Sequence, residues 1–153
     1  MKVLELRIPP PLLLLAAGLL MWLLARWSPY FQVAVPFPIS AQAAILFAGG
    51  TVSALGVVEF RRRRTTLNPS KPDDTSCLVT SGIFGWTRNP MYLGLVVILS
   101  GWAIHLSNLA ALACLPCFVY YLRRFQIGPE ERVLLGKYDE DFRSYCRQVR
   151  RWI

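Results

Sequence analysis

The chain has 153 residues, 54% of them apolar, and a formal net charge of +8 from 17 basic and 9 acidic side chains. The apolar share exceeds the ~45–50% usual in a soluble domain. The charges are blocked rather than scattered, which argues against a water-soluble domain and assigns the positive balance to membrane topology and anionic lipid heads rather than to nucleic acid.

The first apolar window covers residues 9–25 and reads PPPLLLLAAGLLMWLLA. About 20 apolar residues span a ~30 Å hydrocarbon core, so this window predicts one transmembrane helix. Arg26-Trp27 follows it where a cleaved signal peptide would carry small residues. The second window, residues 39–58, reads ISAQAAILFAGGTVSALGVV and predicts another span. Its small residues four apart (Gly49 and Ser53, Gly50 and Ala54) let another helix approach closely, and they leave a homodimer open. Arg61, Arg62, Arg63 and Arg64 close that helix where long basic side chains snorkel to the interface. Glu59 sits just inside and is expected to pair with one of them.

The third window, residues 91–122, is too long for one helix and is interrupted by HLSN at residues 105–108. It reads as a hairpin of two short helices, with Pro116 kinking the second. No period-2 alternation is present, so the expected class is an all-α integral membrane protein with about four transmembrane helices. All but Arg26 of the 17 basic residues fall in the first, third and fifth polar segments. The positive-inside rule then sets both termini and the loop 61–90 in the cytosol, at the inner membrane if the cell is bacterial. The expected organisation is one structural domain: two N-terminal helices in residues 1–60 and a functional region in 61–153. The latter comprises the loop 61–90, the hairpin 91–122 and a C-terminal helix 129–150.

Cys77, Cys114, Cys117 and Cys146 suggest neither a disulfide framework nor a metal set. Cys114-Leu-Pro-Cys117 has redox-motif spacing but lies inside an apolar helix. The single histidine, His105, reads as a turn residue at the hairpin tip. Two segments carry more than packing. The loop holds turn formers at 68–74 and then TSGIFGWTRNP, in which Asn89 suits a helix cap and Pro90 a first helical turn. Arg88, Trp86 and Tyr92 crowd the same corner. In the tail, Pro129 can open a helix with Glu130 and Glu131 in its first turn, suited to the helix dipole. Leu134, Leu135, Tyr138, Phe142, Tyr145 and Val149 give an apolar stripe at helical spacing. Such a helix either lies on the membrane or folds back over the loop.

LVTSGIFGWTRNPMYLG, a short helical hairpin, RRFQIGPEERVL and YDEDFRSYCRQVRRWI together resemble the integral-membrane methyltransferases of the isoprenylcysteine carboxyl methyltransferase and phospholipid methyltransferase group. The resemblance covers residues 78–153. It implies S-adenosyl-L-methionine as cofactor, held between the loop and the C-terminal helix. The usual Arg-His-Pro-x-Tyr motif falls on Arg88, Asn89, Pro90, Met91 and Tyr92, so Asn89 replaces a histidine and cannot act as a base. The family's double glutamate falls on Glu130 and Glu131.

Such a cofactor needs a carboxylate for its ammonium, a cation or backbone donors for its carboxylate, and apolar walls for adenine. Glu130 or Glu131, the backbone from Val79 to Gly82, Arg88, Trp86 and Tyr92 are the candidates. Arg124, or Arg123 beside it, is expected to hold a carboxylate acceptor, and Arg124 and Glu131 are the expected catalytic residues. The implied partners are a lipophilic methyl acceptor (a prenylcysteine-like carboxylate or a lipid amine) and membrane lipids, with no metal. The competing reading is a non-catalytic four-helix scaffold or small transporter. Transport calls for an ionisable residue facing the bundle interior at mid-membrane, and the first, third and fourth apolar segments lack one.

Overall fold

The computed structural model describes residues 5–6, 8–63 and 77–153. Lys2, Arg7, Arg64 and the turn-rich run 65–76 lie outside the described residues. Among the described residues the regular elements are all helical. In order they are α1 (Pro10–Trp27), a 3-10 turn (Pro29–Phe31), α2 (Ile39–Arg62), a second 3-10 turn (Gly82–Gly85) and α3 (Pro90–Leu106). There follow α4 (Leu109–Leu112), α5 (Cys114–Tyr121), a π-helical turn (Leu122–Ile127) and α6 (Gly128–Gln148).

Helices α1 and α2 are long and apolar enough to cross a membrane, with mean hydropathy 1.5 and 1.7. Their outer faces leave large apolar side chains uncovered, as at Leu15 (68% exposed) and Phe47 (78%). The expectation of four spans is met only in part. The hairpin exists, but α3 has 17 residues and its returning arm is divided into α4 and α5. Ser107 ends α3 in the left-handed region at φ +50, and Asn108 starts the return by accepting from the N–H groups of Ala110 and Ala111. Pro116 cannot give an N–H to the carbonyl of Leu112, and the helix breaks one residue after that carbonyl, at Ala113. His105 lies in the last turn of α3, stacked on Trp102 and 3.0 Å from Gln42 Oε1.

The close approach expected of α2 is made, and the partner is α3 of the same chain. A Cβ added at Gly49 would lie 2.8 Å from the Gly94 carbonyl, and one at Gly94 would lie 2.7 Å from the Ser53 nitrogen. Ser53 Oγ also donates to the Met91 carbonyl at 3.0 Å. The Gly49–Ser53 row is therefore filled within the monomer, whereas Gly50 faces open space. A core of Met21, Tyr92, Leu95, Leu99, Phe118 and Leu122 joins α1, α3 and the returning arm. Trp102 Nε1 ties α3 to α1 by donating to the Gly18 carbonyl at 3.0 Å.

The tail departs from expectation at its start. Pro129 stands in the first turn of α6 together with Glu130 and Glu131, as expected, but that start is not free: α5 runs through the π turn into α6 with helical backbone at Leu122, Ile127 and Gly128. Glu130 and Glu131 thus have no free N-terminal dipole beneath them, and their burial and partners come from the site instead. Pro129 has no N–H for the carbonyl of Phe125 four residues back, and the Leu6 N–H bonds that carbonyl at 3.0 Å. Helix α6 breaks locally at Asp139 (φ 31, ψ −103) and ends at Gln148.

Candidate functional site

The site is built where the loop 77–89, the first turn of α3 and α6 with its C-terminal extension meet. Pro90 takes the first position of α3, as its missing N–H and fixed φ suit. The residue before a proline is kept out of the helical region, and Asn89 stands at φ −133. Arg88 is thereby left outside α3, with its N–H free to pair with the Arg150 carbonyl at 3.0 Å. Asn89 sits at the cap position, but its side chain caps nothing. Its Nδ2 donates to the Arg151 carbonyl at 3.0 Å instead. Thr87 Oγ1 reaches the same carbonyl at 3.3 Å.

The tail does fold back over the loop. Tyr145 Oη donates to the Phe84 carbonyl at 2.7 Å, and Phe142, Tyr145 and Val149 form a second small core that includes Leu78. Burial raises the Tyr145 phenol well above its ordinary range, with the Arg88 charge opposing.

Two carboxylates of α6 meet this corner. Glu131 lies between two guanidiniums: Arg88 Nη1 is 3.1 Å from Oε1, and Arg151 donates at 3.1 Å to Oε1 and at 2.5 Å to Oε2. That hydrogen bond holds the Arg151 guanidinium above its ordinary range. Arg88 also contacts the Cys146 sulfur through Nη1, while its Nε is buried with no hydrogen-bond partner. Glu130 turns the other way and accepts from Tyr92 Oη at 2.6 Å. Desolvation pushes its carboxyl up from 4.5 to about 7, against the Tyr92 hydrogen bond and with help from the Glu131 charge. A carboxyl with that value can hold or take a proton near neutral pH.

The structure thus brings Arg88, Asn89, Pro90, Tyr92, Glu130 and Glu131 together. It does not bring in three other expected residues. Trp86 is 84% exposed and forms no wall. Gly82, at φ +60, is shaped to pack on Glu59: an added Cβ would lie 2.9 Å from Glu59 Oε2. Glu59 in turn receives Ser81 Oγ and lies 3.7 Å from Arg63 Nε and 4.0 Å from Arg62 Nη1, which fastens the end of α2 to the loop. Arg124 is separate from the cluster and lies 3.6 Å from Glu5. Val79 is buried beside the loop's 3-10 turn.

Sequence reasoning missed Arg151, the second cation on Glu131. It also missed Gln126, fully buried on the π turn, with Nε2 donating to the Ile8 carbonyl at 3.0 Å and Oε1 unpartnered. A glutamine four residues before Glu130, flanked by Phe125 and Ile127, was the available signal for the latter.

The sequence profile of the phospholipid methyltransferase family matches residues 39–141. The match takes in α2, α3 and the returning arm, and all of the clustered residues except Arg151. An uncharacterised protein of Haemophilus influenzae is 38% identical over 63 residues, which are 41% of this chain and the whole of that protein. No solved structure matches the chain.

Proposed function

The chain belongs to the phospholipid methyltransferase family, and from that premise we propose that it is an integral-membrane methyltransferase that uses S-adenosyl-L-methionine. The acceptor is lipophilic, a prenylcysteine-like carboxylate or a lipid amine, and is met at the cytosolic membrane face. The observation that carries the reading is the joining of Glu130 and Glu131 on α6 to Tyr92 and Arg88 beside the mouth of the hairpin. The donor set suits the cofactor: carboxylates for its ammonium and a cluster of arginines for its carboxylate. The buried, unpartnered Arg88 Nε is a donor the fold itself leaves unused.

When bound, the cofactor supplies a methyl group already activated on a sulfonium. What remains for the chain is alignment and exclusion of water, and alignment contributes up to ~7–11 kcal/mol in favourable cases. Tyr92 and Arg88 fix the start of α6 against α3 and the loop, where Glu130, Glu131 and Arg88 would hold the cofactor. A carboxylate acceptor needs no base. An amine acceptor arrives protonated, and Glu130, with its value near 7, can take that proton. Asn89 anchors the C-terminal segment through the Arg151 carbonyl and has no proton-transfer role.

The test is calorimetric titration of S-adenosylhomocysteine into the detergent-purified protein and into Arg88→Ala. The expected result is saturable binding that the variant loses by at least ~10-fold, since a partly buried charged contact is worth about 1.5–3 kcal/mol. Absence of binding to the wild type would overturn the cofactor assignment and favour the scaffold reading.

A further inference from the structure

We propose that Arg124 and Arg132 form a binding site for the phosphate group of an anionic lipid, and that Glu5 of the same chain occupies it as a displaceable latch. This rests on the membrane placement given above but not on methyl transfer.

Arg124 lies on the π turn and Arg132 on α6, eight residues apart along a continuous helix, which brings both to one face. Each guanidinium takes one oxygen of the Glu5 carboxylate: Arg124 Nη1 at 3.6 Å from Oε1 and Arg132 Nη2 at 2.6 Å from Oε2. The two cations stay open to solvent, 39% and 59% exposed at the side chain, while the carboxylate between them is 18% exposed. Two guanidiniums converging on one oxyanion is the geometry that binds phosphate as well as carboxylate. Among the described residues, one carboxylate stands against these two guanidiniums, which leaves positive charge uncompensated. In the Arg88 cluster, by contrast, the two guanidiniums on Glu131 are more buried, 15% and 34% exposed at the side chain.

The described residues beside Glu5 are tied to the π turn. Leu6 adopts φ +57, a conformation unfavourable to a branched non-glycine residue. Its N–H bonds the Phe125 carbonyl, and the Ile8 carbonyl accepts from Gln126. Exposed ion pairs hold weakly, so a phosphate group at high local concentration in a bilayer surface can compete with this carboxylate.

The experiment uses the full chain purified in a neutral maltoside detergent. Apparent Kd values are taken from ligand-dependent thermal stabilisation by phosphatidylglycerol, phosphatidylcholine and inorganic phosphate. Phosphatidylglycerol is expected to bind more tightly than phosphatidylcholine, and Glu5→Gln to tighten phosphatidylglycerol roughly five-fold, the scale of one exposed ion pair. Adding Arg132→Gln or Arg124→Gln to the Glu5→Gln protein is expected to erase that gain.

An unchanged Kd in Glu5→Gln, or a gain that survives either arginine replacement, overturns the latch. Equal response to inorganic phosphate at equal concentration overturns the lipid as the source of the anion. S-adenosylhomocysteine affinity is measured on the same samples. Its absence together with an intact phosphatidylglycerol response would strike the methyltransferase reading and leave the latch standing.

Discussion

Replacing Glu130 by Gln isolates the one carboxyl among the described residues that the fold holds near neutrality. The group rises from 4.5 to about 7, so between those values the folded protein keeps a proton that the unfolded chain has released. Stability from this group is therefore fully present below about pH 4.5 and is lost as pH rises through about 7. The slope is ~1.4 kcal/mol per pH unit, and the full shift amounts to about 3 kcal/mol. Glu130 keeps some contact with solvent, and screening trims the expected effect to ~2 kcal/mol. Glutamine has nearly the same size, still accepts from Tyr92 Oη and cannot ionise. All other titrating groups are shared, so the difference between the two proteins reads Glu130 alone. The assay is thermal unfolding of both proteins in maltoside micelles, in half-unit steps from pH 4.5 to 8.5. The variant is expected to match the wild type at the acid end and to lead it by ~4–8 °C at pH 8.5, at ~2–4 °C per kcal/mol for a chain of this size. Parallel curves across the whole range would refute the reasoning, since they would mean that Glu130 ionises as an exposed carboxyl does.

Tyr92→Phe removes the hydrogen bond that favours ionised Glu130, so the pH at which stability falls is expected to move above 7 in the same assay. Gly94→Ala is expected to cost at least ~1–3 kcal/mol, because the new methyl meets the backbone of α2 rather than a movable side chain. Gly50→Ala, with open space around it, should match the wild type or gain up to ~1 kcal/mol from helix propensity, and thermal midpoints compare the pair. Asn89→Ala should leave α3 intact, since the side chain caps nothing, yet speed hydrogen exchange in residues 149–152 by releasing the Arg151 carbonyl.

The helical class, the two long apolar helices and the break at residues 105–108 were legible because hydropathy runs and a polar interruption are local signals. The α2 crossing was half legible. Gly49 and Ser53 announced a close contact, but the partner was settled by Gly94 on α3, and no pattern within α2 distinguishes a neighbour in the same chain from a second copy. Trp86 shows the opposite failure. An aromatic beside Arg88 in sequence reads as a pocket wall, yet the 3-10 turn of residues 82–85 throws it outward. The pairing of Arg124 with Glu5 is not legible, because Glu5 is more than a hundred residues away in sequence and charge pairing at that separation leaves no periodic trace. Arg151 escaped notice for the same reason, 20 residues from Glu131 beyond the end of a helix.

The start of α6 explains why the loop, and not the helix, carries the information for the site. A free helix N-terminus would have stabilised Glu130 and Glu131 equally by its dipole and made them interchangeable. Because α5 continues through the π turn, that common term is missing, and each carboxylate depends on its own partner. Successive residues on a helix point about 100° apart. Arg88, held outside α3 by the proline step, takes one direction, and Tyr92, within the first turn of α3, takes the other. The same two loop-proximal residues therefore give neighbouring glutamates different surroundings: Glu131 paired with two guanidiniums, Glu130 poised near neutrality against a phenol. Shifting the Arg-Asn-Pro step by one residue would rotate one of these partners off its carboxylate, which is the physical reason that the loop motif and the double glutamate have to be read as one unit.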